Sequence, residues 1–222
     1  MKKEKITKPV RKIGKSHTSL TGLIASNKDD SLISFESSLE RDFIQVTNFN
    51  ASVASFVEQP VKIEYKDTDN KPRYYTPDFL LYYKEDFEQK PLLVEIKYRE
   101  NLKRNWTELK PKFKAALEYC DKMNWKFKIL TEVEIRTDFL FNANFLTSYE
   151  NTPNICLEKF TLLLNEIEKK EVTTPTELIN NISNDNQVKG EFLFVLWHMI
   201  ANFYVATDLT KKLNMNSTIW SY

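Results

Sequence analysis

Apolar and polar positions alternate along RYYTPDFLLYY and again along PLLVEIKY, with the polar segment KEDFEQK between them. This pattern predicts two strands joined as a hairpin. Upstream, VKIEY reads as a further strand, and the turn-forming TDNKP separates it from RYY, so three strands form a meander that ends in VEIK. From Ser34 the spacing changes to three and four. Phe35, Leu39, Phe43, Ile44 and Val46 outline an amphipathic helix, with Ser34 or Ser37 as its N-cap and Glu36 and Glu40 on one face. Beyond Lys97, the stripe Trp106, Leu109, Phe113, Leu117, Tyr119 marks a crossover helix that Pro111 kinks or restarts. WKFKILTE then alternates as a fourth strand, expected parallel to its neighbour because a helix intervenes. An α/β core follows from this order.

From about Asn151 the chain becomes polar and rich in asparagine. TTPTEL carries a capping box from Thr174 to Glu177, with Pro175 at the first helical position. EFLFVLWHMIANFY then reads as an apolar helix, and Thr207 as the cap of another that carries Leu209 and Leu213, a helix-turn-helix rhythm. The expected division is a basic arm over 1–30, an α/β domain over 31–150 and a small helical domain over 151–222.

The strand pattern places chemistry. Glu95 and Lys97 stand two apart and share one face, while Val94 and Ile96 take the other. A hairpin brings Asp78 beside that face. Alternating charge is also the ordinary look of a solvated strand, but PD followed by ExK is the arrangement of divalent-metal nucleases. Two carboxylates hold hard, oxygen-seeking Mg2+, with Mn2+ as a substitute, and the metal polarises phosphate and acidifies water. Glu40, at the edge of its helix's apolar stripe, either pairs with an arginine at the surface or leans over the sheet to complete the metal site.

Composition narrows the alternatives. The 222 residues are 41% hydrophobic and 13% aromatic, enough for a core, and the net charge of +1 gives no global attraction to nucleic acid. Local charge does: seven basic residues against Glu100 and Glu108 lie between Lys97 and Lys114. The first fifteen residues hold seven Lys or Arg against Glu4, a solubilising tail or a strap on phosphate backbone. Cys120 and Cys156 lie outside any metal spacing and are expected as reduced thiols. With only His17 and His198, a histidine zinc site or a Ser/His/Asp triad has little material; His198 is expected as a satisfied core residue. No apolar run reaches membrane-spanning length, and a cytoplasmic protein is expected.

The order SFESSLERDF, QPVKIEY, YTPDFLL, LLVEIKY, KFKAALEYC and WKFKILTEVEIR resembles TnsA, the endonuclease subunit of heteromeric transposases, over nearly the whole chain. The resemblance implies a restriction-endonuclease-like mixed central sheet flanked by helices, followed by a small winged-helix-like C-terminal domain. It places Glu40, Asp78, Glu95 and Lys97 in the active site; relatives vary at the position of Glu95, where an amide can replace the acid. Asp78, Glu95 and the main-chain carbonyl of Ile96 would hold Mg2+, with Glu40 supporting that ion or a second. The likeness further implies cleavage of the non-transferred strand at the 5′ ends of a mobile element, bound as transposon-end DNA, with a TnsB-like recombinase and a TnsC-like ATPase regulator as partners. A freestanding restriction-type or junction-resolving nuclease, and a catalytically silent DNA-binding adaptor, remain as alternatives.

Overall fold

The computed structural model describes residues 5–11, 20–29 and 31–222, in two compact units that part between Ile135 and Arg136. The expected boundary at 150/151 falls later. The helix that ends at Glu150 packs among the C-terminal helices, so its apolar residues belong to the second unit.

The first unit is built on a four-stranded sheet of β3 (Val53–Glu58), β6 (Phe79–Tyr83), β7 (Leu92–Ile96) and β8 (Lys126–Leu130), in the order β3-β6-β7-β8. The first two pairings are antiparallel and β7 runs parallel to β8. The central strands are covered on both faces, which is why FLLYY and LLVEI read as nearly unbroken apolar runs. Phe79, Leu81, Leu92, Val94 and Ile96 meet α1 (Ser38–Phe49) through Leu39, Phe43 and Ile44. On the opposite face Leu80 and Leu93 meet α2 (Arg99–Met123) through Leu109, Phe113 and Ala116. Pro111 lies within α2, and the departure from helical dihedrals falls at Asn105. A short helix, α3 (Glu132–Ile135), closes the unit.

Three expectations change here. The strand beside β6 is β3, while among the described residues β4 (Ile63–Lys66) and β5 (Pro72–Tyr75) pair only with each other, so the expected meander is two separate sheets. The TDNKP turn between β4 and β5 forms as expected, with Asp67 accepting from the Asp69 and Lys71 N–H groups. Residues Leu32–Phe35 form β2, paired with β1 (Gly22–Ala25), rather than the start of a helix. Ile33 and Phe35 alternate into the core, and the Phe35 ring lies so close to Gly22 that a Cβ there would stand 2.5 Å from it. The helix therefore starts one turn later, with Ser37 as N-cap accepting from the Glu40 N–H, and Glu36 lies outside it. Of the basic arm, residues 1–4, 12–19 and 30 lie outside the described residues. Within 5–11 the Ile6 N–H donates to the Tyr82 hydroxyl, and the Val10 N–H to the Gln59 carbonyl.

The second unit comprises α4 (Asp138–Glu150), α5 (Leu157–Lys170), β9 (Val172–Thr173), α6 (Pro175–Ile182), α7 (Asn186–Ala201), β10 (Ala206–Thr207) and β11 (Ile219–Trp220). The three short strands form an antiparallel sheet in the order β10-β11-β9. Helix α7 is the centre, packed by α4, α5 and α6, which explains a helix apolar on most of its circumference. The predicted cap of α6 is present: the Thr174 hydroxyl accepts from the Glu177 N–H. The helix expected after Thr207 is absent. Asp208 takes the Thr210 N–H and hydroxyl, and Asn142 takes the Leu209 and Lys211 carbonyls with its Nδ2 and the Leu213 N–H with its Oδ1. Those backbone groups are thereby removed from any helical ladder. His198 Nδ1 lies 2.8 Å from the Tyr149 carbonyl, as expected of a satisfied core residue. Both cysteines are free, Cys120 buried and Cys156 exposed. No helix among the described residues is long and apolar enough to cross a membrane.

Candidate active site

Asp78 immediately precedes β6, and Glu95 lies at the next-to-last position of β7. The pairing Phe79 with Val94 and Leu80 with Leu93, extended by one step, sets Asp78 opposite Glu95 on the face that looks toward α2. Both carboxylates are buried. The Ile96 N–H donates to Asp78 Oδ2 at 2.7 Å, fixing the carboxylate at the end of the strand pair. Lys97 follows, and its ammonium lies 2.8 Å from Glu95 Oε1, 3.7 Å from Asp78 Oδ2 and 3.0 Å from the Ile96 carbonyl. Asp78, Glu95 and Lys97 thus converge as the sequence pattern predicts, with the Ile96 carbonyl beside them.

Glu40 arrives from α1. Its Oε2 accepts from the Glu36 N–H at 2.8 Å and its Oε1 from the Ser37 hydroxyl at 2.9 Å, so the carboxylate reaches back to the start of its own helix. It is nevertheless part of the same electrostatic cluster. Burial, followed by the charge of Asp78, pushes the Glu40 carboxyl up to about 7. Burial and then the Glu95 charge hold Asp78 well above the usual carboxylate range. For Lys97, burial acts to lower the pKa, but Asp78 and Glu95 outweigh it and keep the side chain cationic.

Two participants were not legible as site residues in the sequence. The Tyr75 hydroxyl donates to Glu95 Oε2 at 2.6 Å from the end of β5, a strand of a different sheet. Gln59 lines the same cleft as Asp78, Glu95 and Lys97, together with Arg11 and Lys112. Its contact with the site is made by a fold in the chain; the QP of QPVKIEY was part of the family resemblance without marking Gln59 as a site residue. Arg11 is held by Glu36 at 2.7 Å across the cleft rim.

The donor chemistry suits a hard cation. Among the described residues no three Asp, Glu, His or Cys side chains converge as a metal-binding group. The Ile96 carbonyl is a main-chain oxygen beside the two carboxylates. The Lys97 ammonium marks the point where it, Glu95 and Asp78 converge on one positive charge.

Two protein-family models match the chain. Residues 50–132 match the TnsA-like endonuclease N-terminal family, and residues 134–209 the TnsA endonuclease C-terminal family. The chain belongs to the TnsA endonucleases. Asp78, Glu95 and Lys97 lie within the first matched segment, whereas Glu40 precedes it. The two segments meet at the division between the compact units. Membership makes this TnsA-like chain a nuclease subunit of a Tn7-type transposase system acting on DNA, on a restriction-endonuclease-like fold. A comparison with curated proteins finds no match.

Proposed function

We propose that this TnsA-like protein is a Mg2+-dependent endonuclease that cuts the non-transferred strand at the 5′ ends of a mobile element, in concert with a TnsB-like recombinase and under a TnsC-like ATPase regulator. The observation that carries the reading is the Lys97 ammonium gathered by Glu95, Asp78 and the Ile96 carbonyl, a buried cluster built around positive charge. Those three oxygen donors would hold Mg2+, with Mn2+ as a substitute; when bound, the ion supplies Lewis-acid polarisation of phosphate and an acidified water. Glu40 would support that ion or a second one from α1. Lys97, kept cationic by Asp78 and Glu95, would position water and stabilise charge developing on the phosphate; a side chain that keeps its proton does not serve as the base. The basic run of α2 supplies backbone contacts that position DNA without reading sequence, so end specificity belongs to the recombinase.

The second unit supports a partner-docking role. Its order α5, β9, α6, α7, β10, β11 and its sheet order β10-β11-β9 support a winged-helix-like reading, with residues 208–218 in the place of the wing. Yet α4 packs along α7, placing the Tyr149 ring against Phe194 and Phe145 against Trp197. This arrangement favours contact with protein over insertion of α7 into a groove. The protein acts in the cytoplasm, at the nucleoid.

Strand-specific nicking at transposon ends, with the candidate recombinase and Mg2+, tests the proposal. Wild type gives 5′-strand cuts that need the recombinase, and Asp78→Ala abolishes them. Cuts that survive Asp78→Ala would refute the site.

A further inference from the structure

Gln59 bears two unfavourable features at the edge of the cleft. Its φ is +47°, the left-handed region that side chains other than glycine rarely adopt. It is also 3% exposed, and its amide oxygen has no hydrogen-bond partner among the described residues. Strained backbone and an unpaired buried amide each cost free energy, and a residue that bears both without compensation marks a place where something else arrives.

The backbone conformation is enforced from both sides. The Gln59 N–H donates to the Asp78 carbonyl at 2.8 Å, and the Gln59 carbonyl accepts from the Val10 N–H at 2.9 Å. The residue is therefore clamped to the main chain of Asp78 itself, and its side chain lines the cleft that holds Asp78, Glu95 and Lys97. The charged groups of the site itself are engaged. Glu95 is held by Tyr75 and Lys97, Asp78 by the Ile96 N–H, and Arg11 by Glu36. Ser55 Oγ is the other partnerless buried side-chain oxygen among the described residues, and it does not line the cleft. Glycine would relieve the φ, and an apolar side chain would remove the unpaired amide. Glutamine does neither, so its amide oxygen is an acceptor awaiting a donor.

DNA phosphates cannot supply that donor, because they only accept. Water bound to a divalent cation can, since the ion polarises its O–H bonds and strengthens them as donors. We infer that Gln59 is a positioning residue for the hydrated cation of this site: its amide oxygen accepts a hydrogen bond from a water on the ion held by Asp78 and Glu95. This rests on the metal reading above. Gln59 itself stays outside the ligand set and orients the ion's water shell, a role whose loss weakens ion affinity about 10- to 100-fold in metal sites generally.

The test is titration of the full chain, without DNA, with Mn2+ and with Mg2+, following heat and the free Mn2+ resonance. Gln59→Met keeps the side-chain length and removes the acceptor; Gln59→Glu keeps an acceptor and adds charge. Gln59→Met should bind Mn2+ about 10-fold more weakly than wild type, and Gln59→Glu at least as tightly as wild type. Without ions, Gln59→Met should melt no lower than wild type, because an unpaired buried amide has gone. Equal Mn2+ affinity in wild type and Gln59→Met overturns the role of Gln59 and leaves the metal site standing. No binding by wild type removes the metal reading itself. Should Gln59→Met fail to fold, weaker Mn2+ binding by Gln59→Glu overturns the inference alone. A loss of DNA binding in Ca2+ by Gln59→Glu, with ion affinity unchanged, would show the amide donating to phosphate and would also overturn it.

Discussion

Each compact unit buries a side-chain amide, and the two differ in what surrounds them. Asn142, in the second unit, is fully buried and makes three hydrogen bonds, to the Leu209 and Lys211 carbonyls and the Leu213 N–H. Gln59, in the first, leaves its oxygen unpaired beside a cluster of buried charge. A satisfied amide determines a loop's path and is finished when the chain has folded. An unsatisfied one keeps an acceptor open after folding. The same contrast holds between His198, paired with a carbonyl, and the cluster of Asp78, Glu95 and Lys97, which buries two carboxyl groups and an ammonium at a cost in solvation.

The contrast can be tested in decreasing order of effect. Asn142→Ala strips partners from two carbonyls and one N–H and should lower stability by about 2–4 kcal/mol in denaturant unfolding; a loss below ~0.5 kcal/mol would mean that Asn142 does not hold the loop. Next comes pH. The folded Glu40 carboxyl keeps its proton up to about 7, whereas the unfolded one releases it near the ordinary glutamate value. Between those values the folded state binds more protons, so stability without metal is greatest in acid and falls as pH rises toward 7. Asp78, shifted the same way, adds to the slope. Glu40→Gln should flatten the profile by on the order of 2 kcal/mol, read from melting between pH 4 and 8; an unchanged slope would separate Glu40 from the cluster. Tyr75→Phe removes the donor to Glu95 Oε2 and should reduce nicking ~10-fold while costing about 1 kcal/mol of stability. Nicking at the wild-type rate would confine Tyr75 to the fold. The smallest effect belongs to the second unit, where Thr174→Ala removes the α6 cap for about 1 kcal/mol, leaving nicking unaltered.

The reading of sequence succeeded where neighbours along the chain decide the outcome. Period-two alternation placed Glu95 and Lys97 on one face, the PD step put Asp78 at the head of its strand, and TTPTEL announced the Thr174 cap. It failed where distant partners decide. The helical spacing read from Ser34 and Phe35 continues into α1, but pairing with Gly22–Ala25 claims Leu32–Phe35 for a sheet. Val53–Glu58 takes the place beside β6 that VKIEY was expected to fill. Residues after Thr207 have a helical pattern that Asn142, far upstream, overrides by taking their backbone groups.

By itself the sequence determined which residues carry charge, which face of each strand they occupy and where the Thr174 cap falls. These follow from backbone periodicity and from hydrogen bonds that close within a few residues. Only the tertiary structure decided what those charges meet. The Tyr75 hydroxyl on Glu95, the Glu40 carboxylate within the field of Asp78, and the strained Gln59 clamped to the Asp78 carbonyl all arise from segments brought together on folding. Burial then removes the water that would have screened them, and shifted proton affinities and an unpaired amide arise from that exclusion rather than from any local pattern of residues.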